Sequence, residues 1–382
     1  MKTQEKKQGT RGQQGSVAVL VALSMVVLAG LATLAVDYGF LEYKRSQLQN
    51  AADAAALAGA NVLVQYGDDQ DQVTETAVTF GQANLSDSDS KDLAMRNSDV
   101  SYPNAASVRA TVGRTNERGN PVDMFLGRIV GWNTQDITAS GTASLYCSSG
   151  TKCLKPWSPP AKFTWDDSCD DNKKYKDNGQ LDAASTCEMD SVEVQGYTNT
   201  DVGTEILLKF GDSTDVVTPS HYQPVDYPAV NNGSPKTGAD EYRTNIAGCT
   251  GSSNTRVSVG DELQVETGNM VGPTQQGLAD LIAQDPEAHW DDATNSIVGS
   301  SYADPINSPR VAMIPFYDPS LPQTSGRNNI VIYQLGAVFI ESATGSGDVV
   351  GRFVKTMAVD PEREDDCDPA QDYALYGAGL VQ

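Results

Sequence analysis

Histidine is nearly absent from this chain: His221 and His289 are the only imidazoles in 382 residues. They stand in "PSHYQP" and "EAHW", each alone in a turn or helix end, without the neighbours that acid–base work or zinc binding needs. Other signatures of catalysis are missing too: no CxxC, no GxSxG nucleophile elbow and no glycine-rich phosphate loop. An acidic chain always offers pairs of carboxylates, but nothing singles out one pair as a hydrolytic dyad. "GNMVGPT" (268–274), which could be taken for an anion-binding turn, reads as a helix start, with Pro273 in the first turn. No enzyme is expected. Basic charge is also scarce. Against 50 Asp and Glu there are 27 Lys and Arg, giving a net charge of −23, and residues 150–382 alone carry −20. Such a field repels a polyanion, which argues against nucleic acid as a partner, and it attracts Ca²⁺ or a basic surface.

Two further absences organise the N-terminus. Ser16 to Val36 contains no charge, and no proline occurs from Asp37 to about Val64. The 21 uncharged residues span roughly 30 Å as a helix, about one hydrocarbon core. The apolar core of a signal peptide is shorter, about 7–15 residues, so an uncleaved anchor is expected. Lys2, Lys6, Lys7 and Arg11 against the single Glu5 put residues 1–15 in the cytoplasm and everything beyond Asp37 outside. Gly67 and the acidic "GDDQD" supply the helix stop. One helix from about 16 to 65 would be roughly 75 Å long, half in lipid and half projecting outward. Within the projecting half lies "LQNAADAAALAGA" (48–60), seven of whose thirteen residues are alanine.

Beyond it, "DQVTETAVTFGQANL" (71–85) places Val73, Ala77, Phe80 and Gly81 on one helical face. "SVRATV" (107–112) and "DITASGTASLY" (136–146) alternate as strands, and "PVDMFLGRIVG" (121–131) has a proline start and a glycine stop for a helix. After Cys147 come the proline-rich "LKPWSPP" and the turn-rich "WDDSCDDNKKYKDNGQLD". Strands are then predicted at 191–197, 204–210, 256–265, 310–317, 329–342 and 348–359, the last two separated by "ATGSG", with a helix over 274–284. The expected fold is α+β: a long transmembrane, pilin-like helix with a small α+β unit, then a mostly β C-terminal domain. The segments are 1–15 cytoplasmic, 16–36 transmembrane, 37–146 the unit built on the continuing helix, 147–190 a connector, and 191–382 the β-rich exported domain.

Arg11-Gly12 and Gly15 before the anchor, "LAVDYG" (34–39) at its outer edge, and the alanine run together resemble the N-terminal segment of TadE/TadG-like proteins of the Tad (Flp) pilus assembly system. "MFLGRIVGWNTQDITASGTA" (124–143) is similar to the closure of the same unit. "LKPW", "YRTNIAGC", "VETGNMVGPTQQGL", "SPRVAMIPFYDP" and "GRFVK" look like a β-rich domain appended to some members. Two departures stand out. Larger members carry a von Willebrand A domain with a metal-binding DxSxS, which is missing here. Prepilin-like members have glutamate five residues after the cleavage glycine, and after Gly15 that position is Leu20. Processing by a prepilin peptidase, and membership of the major fibre, are therefore not expected. The resemblance implies a bacterial single-pass membrane protein, a non-catalytic structural accessory or minor-pilin-like component. Its partners would be other Tad proteins or pilins, and the bulk of the chain would be periplasmic or extracellular. The alternative is a membrane-tethered adhesin that uses its acidic β-rich domain.

The residues expected to matter follow from these readings. Small side chains let helices approach closely, so Ala52/Ala56 and Ala55/Gly59 are helix-packing candidates, against this chain's own domain or a neighbour's helix. Asp37 and Asp53 are either solvated helix residues or interface residues that meet a partner's cation. Six cysteines in an exported chain read as disulfides, and of 15 connectivities Cys147–Cys153, Cys169–Cys187 and Cys249–Cys367 are favoured. Eight carboxylates lie between Asp166 and Asp190. They suit Ca²⁺, which takes 6–8 oxygens, with Asp170, Asp171, Asp177 and Asp182 the candidate ligands. Against that, the loop misses the EF-hand register, with Lys174 and Lys176 where acids are needed, and a charge run is usually a solvated face.

Overall fold

The computed structural model describes residues 14–67, 69–85, 95–169, 177, 179–211, 223–321, 327–343, 347–364 and 375–381. The basic flank up to residue 13, Asp170, Asp171, His221 and Cys367 lie outside them. Helix α1 runs unbroken over Gln14–Tyr66. Its few polar residues in the apolar part turn inward on the helix itself: Ser24 Oγ donates to the Leu20 carbonyl (2.8 Å) and Thr33 Oγ1 to that of Ala29 (2.9 Å). Such back-bonding satisfies hydroxyls where no water is at hand. No side chain from 17 to 36 is buried. Burial begins at Asp37 and recurs at Leu41, Leu48, Ala51, Ala52, Ala55, Ala56, Ala60 and Leu63, at helical spacing along one broad face.

That face is the spine of the first unit. After the turn at Gly67, α2 (Gln70–Ala83) folds back along α1, its first turn capped by the Asp69 carboxylate. An antiparallel sheet covers the other side: β1 (Val100–Asn104), β2 (Ser107–Arg114) and β3 (Ile137–Thr151). β3 pairs with β2 along one edge, from Arg114↔Ile137 to Ser107↔Ser144. Its other edge pairs with the C-terminal strand Leu375–Val381, from Val381↔Thr142 to Leu375↔Ser148. The boundary drawn at residue 147 therefore falls inside a strand. Alternating burial persists to Cys147, and beyond it the strand runs on, mostly buried, to Thr151, where Val257 pairs with it. The helix expected over 121–131 is also corrected. Val122–Asp123 is a short strand, only Gly127–Val130 forms a single 3₁₀ turn, and Gly131 ends it at φ 86°.

The second unit has a six-stranded antiparallel sheet. Its order is β4 (Glu205–Lys209), β8 (Val349–Val354), β7 (Asn329–Ala343), β5 (Glu262–Val265) and the two-residue strand Val225–Asp226, with β6 (Val311–Tyr317) on the other edge of β7. Both faces of β7 are covered, which is why "GAVFI" is continuously apolar. Val338 and Ile340 face a helical layer, α4 (Ala239–Ala247) and α5 (Val271–Ile282), through Tyr242, Ile246, Leu278 and Leu281. Ala337 and Phe339 face the opposite core with Tyr227, Leu154 and Leu375. Helix α3 (Thr186–Ser191) is a single short element. Trp157 Nε1 donates to the Tyr242 hydroxyl at 2.6 Å inside the helical layer.

The cysteine pairing agrees with expectation for Cys169–Cys187 and differs for Cys153. Cys153 is joined to Cys249 (Cα–Cα 4.9 Å), and Cys169 to Cys187 (5.9 Å). Cys147 is buried and disulfide-bonded, but not to Cys153. The four strand steps from Cys147 to Thr151 already carry the chain about 13 Å away before Cys153 is reached, and a disulfide needs Cα atoms within roughly 7 Å. The spacing that looked like a loop is extended chain. Cys249 is thereby unavailable to Cys367.

Candidate functional site

The alanine face packs inside the chain on both flanks. Facing α2, a Cβ added to Gly81 would come within 2.9 Å of the Ala55 Cβ. Facing the sheet, a Cβ on Gly141 would come within 2.9 Å of the Ala52 backbone. Gly59 lies between the two, where a Cβ would meet Val108 at 2.9 Å and Ala77 at 3.3 Å. Ala52, Ala55 and Ala56 are fully buried, and alanine supplies nine of the 17 buried residues of the cluster they share with Ala110, Ala139 and Ala143. Small residues on both sides thus let backbone approach backbone, in the manner of close-packed helices.

Asp37 is neither solvated nor turned to a partner's cation. It is fully buried, and its carboxylate accepts the backbone N–H groups of Phe125 (2.9 Å), Leu126 (3.0 Å) and Gly127. Three amides converging on one carboxylate form an anion nest, and charge-assisted bonds of this kind are the strong ones. This pulls the segment 124–127 out of helical pairing. The chain stays tight there: a Cβ on Gly127 would meet the Trp132 carbonyl at 2.8 Å and Asp37 Oδ2 at 3.1 Å. Asp53 is half-buried and accepts from Gln49 Nε2 at 2.8 Å, while the same Gln49 nitrogen donates to the Ser140 carbonyl at 3.0 Å. Asp37 therefore ties α1 to its own unit directly, while Asp53 holds the Gln49 amide that does so. Sequence spacing pointed to Asp37 but not to its partners, which lie 88 to 90 positions away.

Of the calcium candidates, Asp177 and Asp182 are among the described residues and Asp170 and Asp171 lie outside them. Asp182 is buried and accepts from its own turn at Ala184 N (2.9 Å), and Asp177 adopts φ 53°. Among the described residues no three His, Cys, Asp or Glu are grouped to hold a metal. Buried cations elsewhere are satisfied by carbonyls. Lys155 Nζ donates to the Ile246 carbonyl (2.7 Å), and burial pushes its pKa down to about 8. Lys209 Nζ donates to Phe210 O, Gly347 O and Asn269 Oδ1, and burial likewise lowers its pKa to about 8. The Arg310 guanidinium spans four carbonyls, those of Asp285, Ala288, Ile340 and Glu341. These groups fasten loops to the sheet. His289 is exposed, with Nδ1 against the Glu287 carbonyl.

The helix is long and apolar enough to cross a membrane, with mean hydropathy 2.6 in its apolar window and none of that window buried. Among curated proteins and among solved structures, none matches the chain. Residues 15–62 of the 382, the stretch that holds the bare apolar run, Asp37 and the alanine face, match the Tad family model, "Putative Flp pilus-assembly TadE/G-like"; that match supports a pilus-related accessory role, and the apolar helix supports a membrane anchor.

Proposed function

We propose that this protein is a structural, minor-pilin-like accessory of Tad (Flp) pilus assembly that acts by holding helices and domains together, without turnover. The observation that carries the reading is the shared strand β3. It joins the unit on α1 to the β-rich unit, and the last strand, Leu375–Val381, returns to the first sheet. A tethered adhesin would be expected to hang its binding domain on a separable linker. Here the β-rich unit completes the spine's own sheet, which favours one assembly element over a tether with cargo. Deleting the gene should reduce piliation, and a wild-type copy should restore it. Normal pili in the deletion strain, with lost attachment to surfaces, would instead support the adhesin reading.

The partners on this reading are other Tad proteins or pilins, and the orientation is N-terminus in the cytoplasm with everything beyond Asp37 outside. Phosphatase fused after Tyr66 should be active, and activity of a cytoplasm-only reporter at that position would reverse the topology. Calcium at the 166–190 loop stands as a separate proposal, supported by its carboxylate density alone. Added calcium should then raise the melting temperature where magnesium does not, and identical melting in EDTA and excess calcium would remove it.

A further inference from the structure

The segment clamped by Asp37 carries large apolar side chains that the described residues leave exposed. Phe125 is 73 % exposed, Ile129 79 % and Trp132 37 %. Apolar exposure concentrated in one loop marks a contact surface. Its level along α1 is fixed, because the Phe125, Leu126 and Gly127 amides bond to Asp37, the first buried residue after the bare run 17–36. Between loop and helix runs a groove of about 350 Å³ lined by Val36, Phe40, Met124 and Phe125, with the paired Asp123 and Arg128 also on its walls. Val36 is the last residue of the apolar run and Phe40 lies one turn beyond it, so the groove sits at the outer edge of that run, level with Asp37. Tyr38 and Tyr43 are exposed nearby on the helix. The only charges in 121–133, Asp123 and Arg128, pair with each other at 3.3 Å, so the loop brings no net charge to the surface it meets.

We propose that this loop is a second membrane contact: Phe125, Ile129 and Trp132 enter the headgroup boundary of the outer leaflet of the bilayer that α1 spans, and acyl carbons fill the groove between Phe125 and Phe40. Aromatic rings at the end of a span settle at that depth, and the loop's one ion pair, Asp123 with Arg128, is exposed and keeps its water in the polar headgroup layer. The consequence is orientational. A unit on one helical stalk can swivel, whereas a unit held by stalk and loop presents a fixed face outward. The inference rests on residues 16–36 crossing the membrane.

The test uses the full chain in phosphatidylcholine vesicles, part of whose lipid carries bromine on acyl carbons near the headgroup. Flotation with the vesicles reports the span by itself, and a chain that fails to float sinks that reading. In chains that float, most of the lipid-dependent tryptophan quenching should disappear in Trp132→Phe, since Trp157 is wholly buried and Trp165 and Trp290 are half-buried beyond β3, away from the span. Phe125→Ser with Ile129→Ser should shift Trp132 emission to the red while the protease resistance of the outer unit is retained. Equal quenching in the wild type and Trp132→Phe would overturn the proposal. So would shielding of Trp132 that appears only at high protein-to-lipid ratio, which would assign the loop to a second copy of the chain.

Discussion

The two halves of α1 share one backbone and obey opposite rules of exposure. In the inner half large side chains stand bare, Val26 at 71 % and Leu20 at 66 %, while in the outer half Ala51, Ala52, Ala55, Ala56 and Ala60 are hidden completely. An aqueous core does the reverse, because burying large apolar area is what stabilises it, at about 25 cal/mol per Å². The inner half needs no protein cover if lipid supplies it. The outer half gains little from alanine area. What small side chains give there is distance, since α2 and β3 come close enough that Gly81 and Gly141 have no room for a Cβ. Hydropathy thus identifies the first half and side-chain size the second.

The largest break in this comparison should come from placing one charge in each half. Val26→Arg opposes insertion by about 2.5–3.5 kcal/mol, against valines and leucines worth about 0.3–0.6 each. With six valines and five leucines between Ser16 and Val36, insertion should fall without vanishing, and the outer unit should stay folded. Ala56→Arg puts an uncompensated charge in a fully buried position, at a cost of about 3–5 kcal/mol. Carbonate extraction should find it membrane-bound, and limited proteolysis should find its outer unit open. If both variants lose the membrane and keep the fold, or the reverse, the division at Asp37 is wrong.

The division point itself comes next. Asp37→Ala leaves three backbone donors without their acceptor, each costing about 1–3 kcal/mol while it stays buried. Water entering at the gap should limit the local loss to on the order of 3 kcal/mol, or ~100-fold in amide protection at residues 125–127. Asp37→Asn keeps one oxygen and should lose less. Hydrogen exchange that leaves these three amides unchanged in Asp37→Ala would show that the loop is held by something else.

How far the sequence told this story depends on how local each cause is. The run of α1 and the hairpin of β7 and β8 were legible, because a proline-free apolar pattern and strand alternation are written in neighbouring residues. The 124–127 loop was not. Its apolar spacing suits a helix, and only a carboxylate 88 residues earlier diverts its amides. Helix α4 was missed because just Tyr242, Asn245 and Ile246 of its nine residues are buried, too little pattern to see. The C-terminal strand was missed for a related reason: "LYGAGLV" carries two glycines and no clear alternation, and its place comes from β3. The alanine run was visible as small residues, but whether they met this chain or another was a matter of topology.

The smallest effect tests size alone, with no charge involved. Ala55→Leu adds three carbons opposite Gly81, and Gly59→Leu adds a side chain where Val108 and Ala77 already stand. Overpacking of this kind costs about 1–3 kcal/mol, and both urea midpoints should fall. Leu20→Ala, in the bare half, removes volume that only lipid touches, so the midpoint of the outer unit should move by less than about 0.5 kcal/mol, as at sites remote from the core. Gln47→Leu gives an intermediate case on the same helix, since Gln47 is half-buried at the rim of the alanine face with its amide donating to the Tyr43 hydroxyl at 3.0 Å. It should cost less than either core substitution because its side chain already occupies a leucine's volume. If all four variants shift the midpoint equally, volume is not what the alanine face controls, and the close approach of α2 and β3 to α1 has another cause.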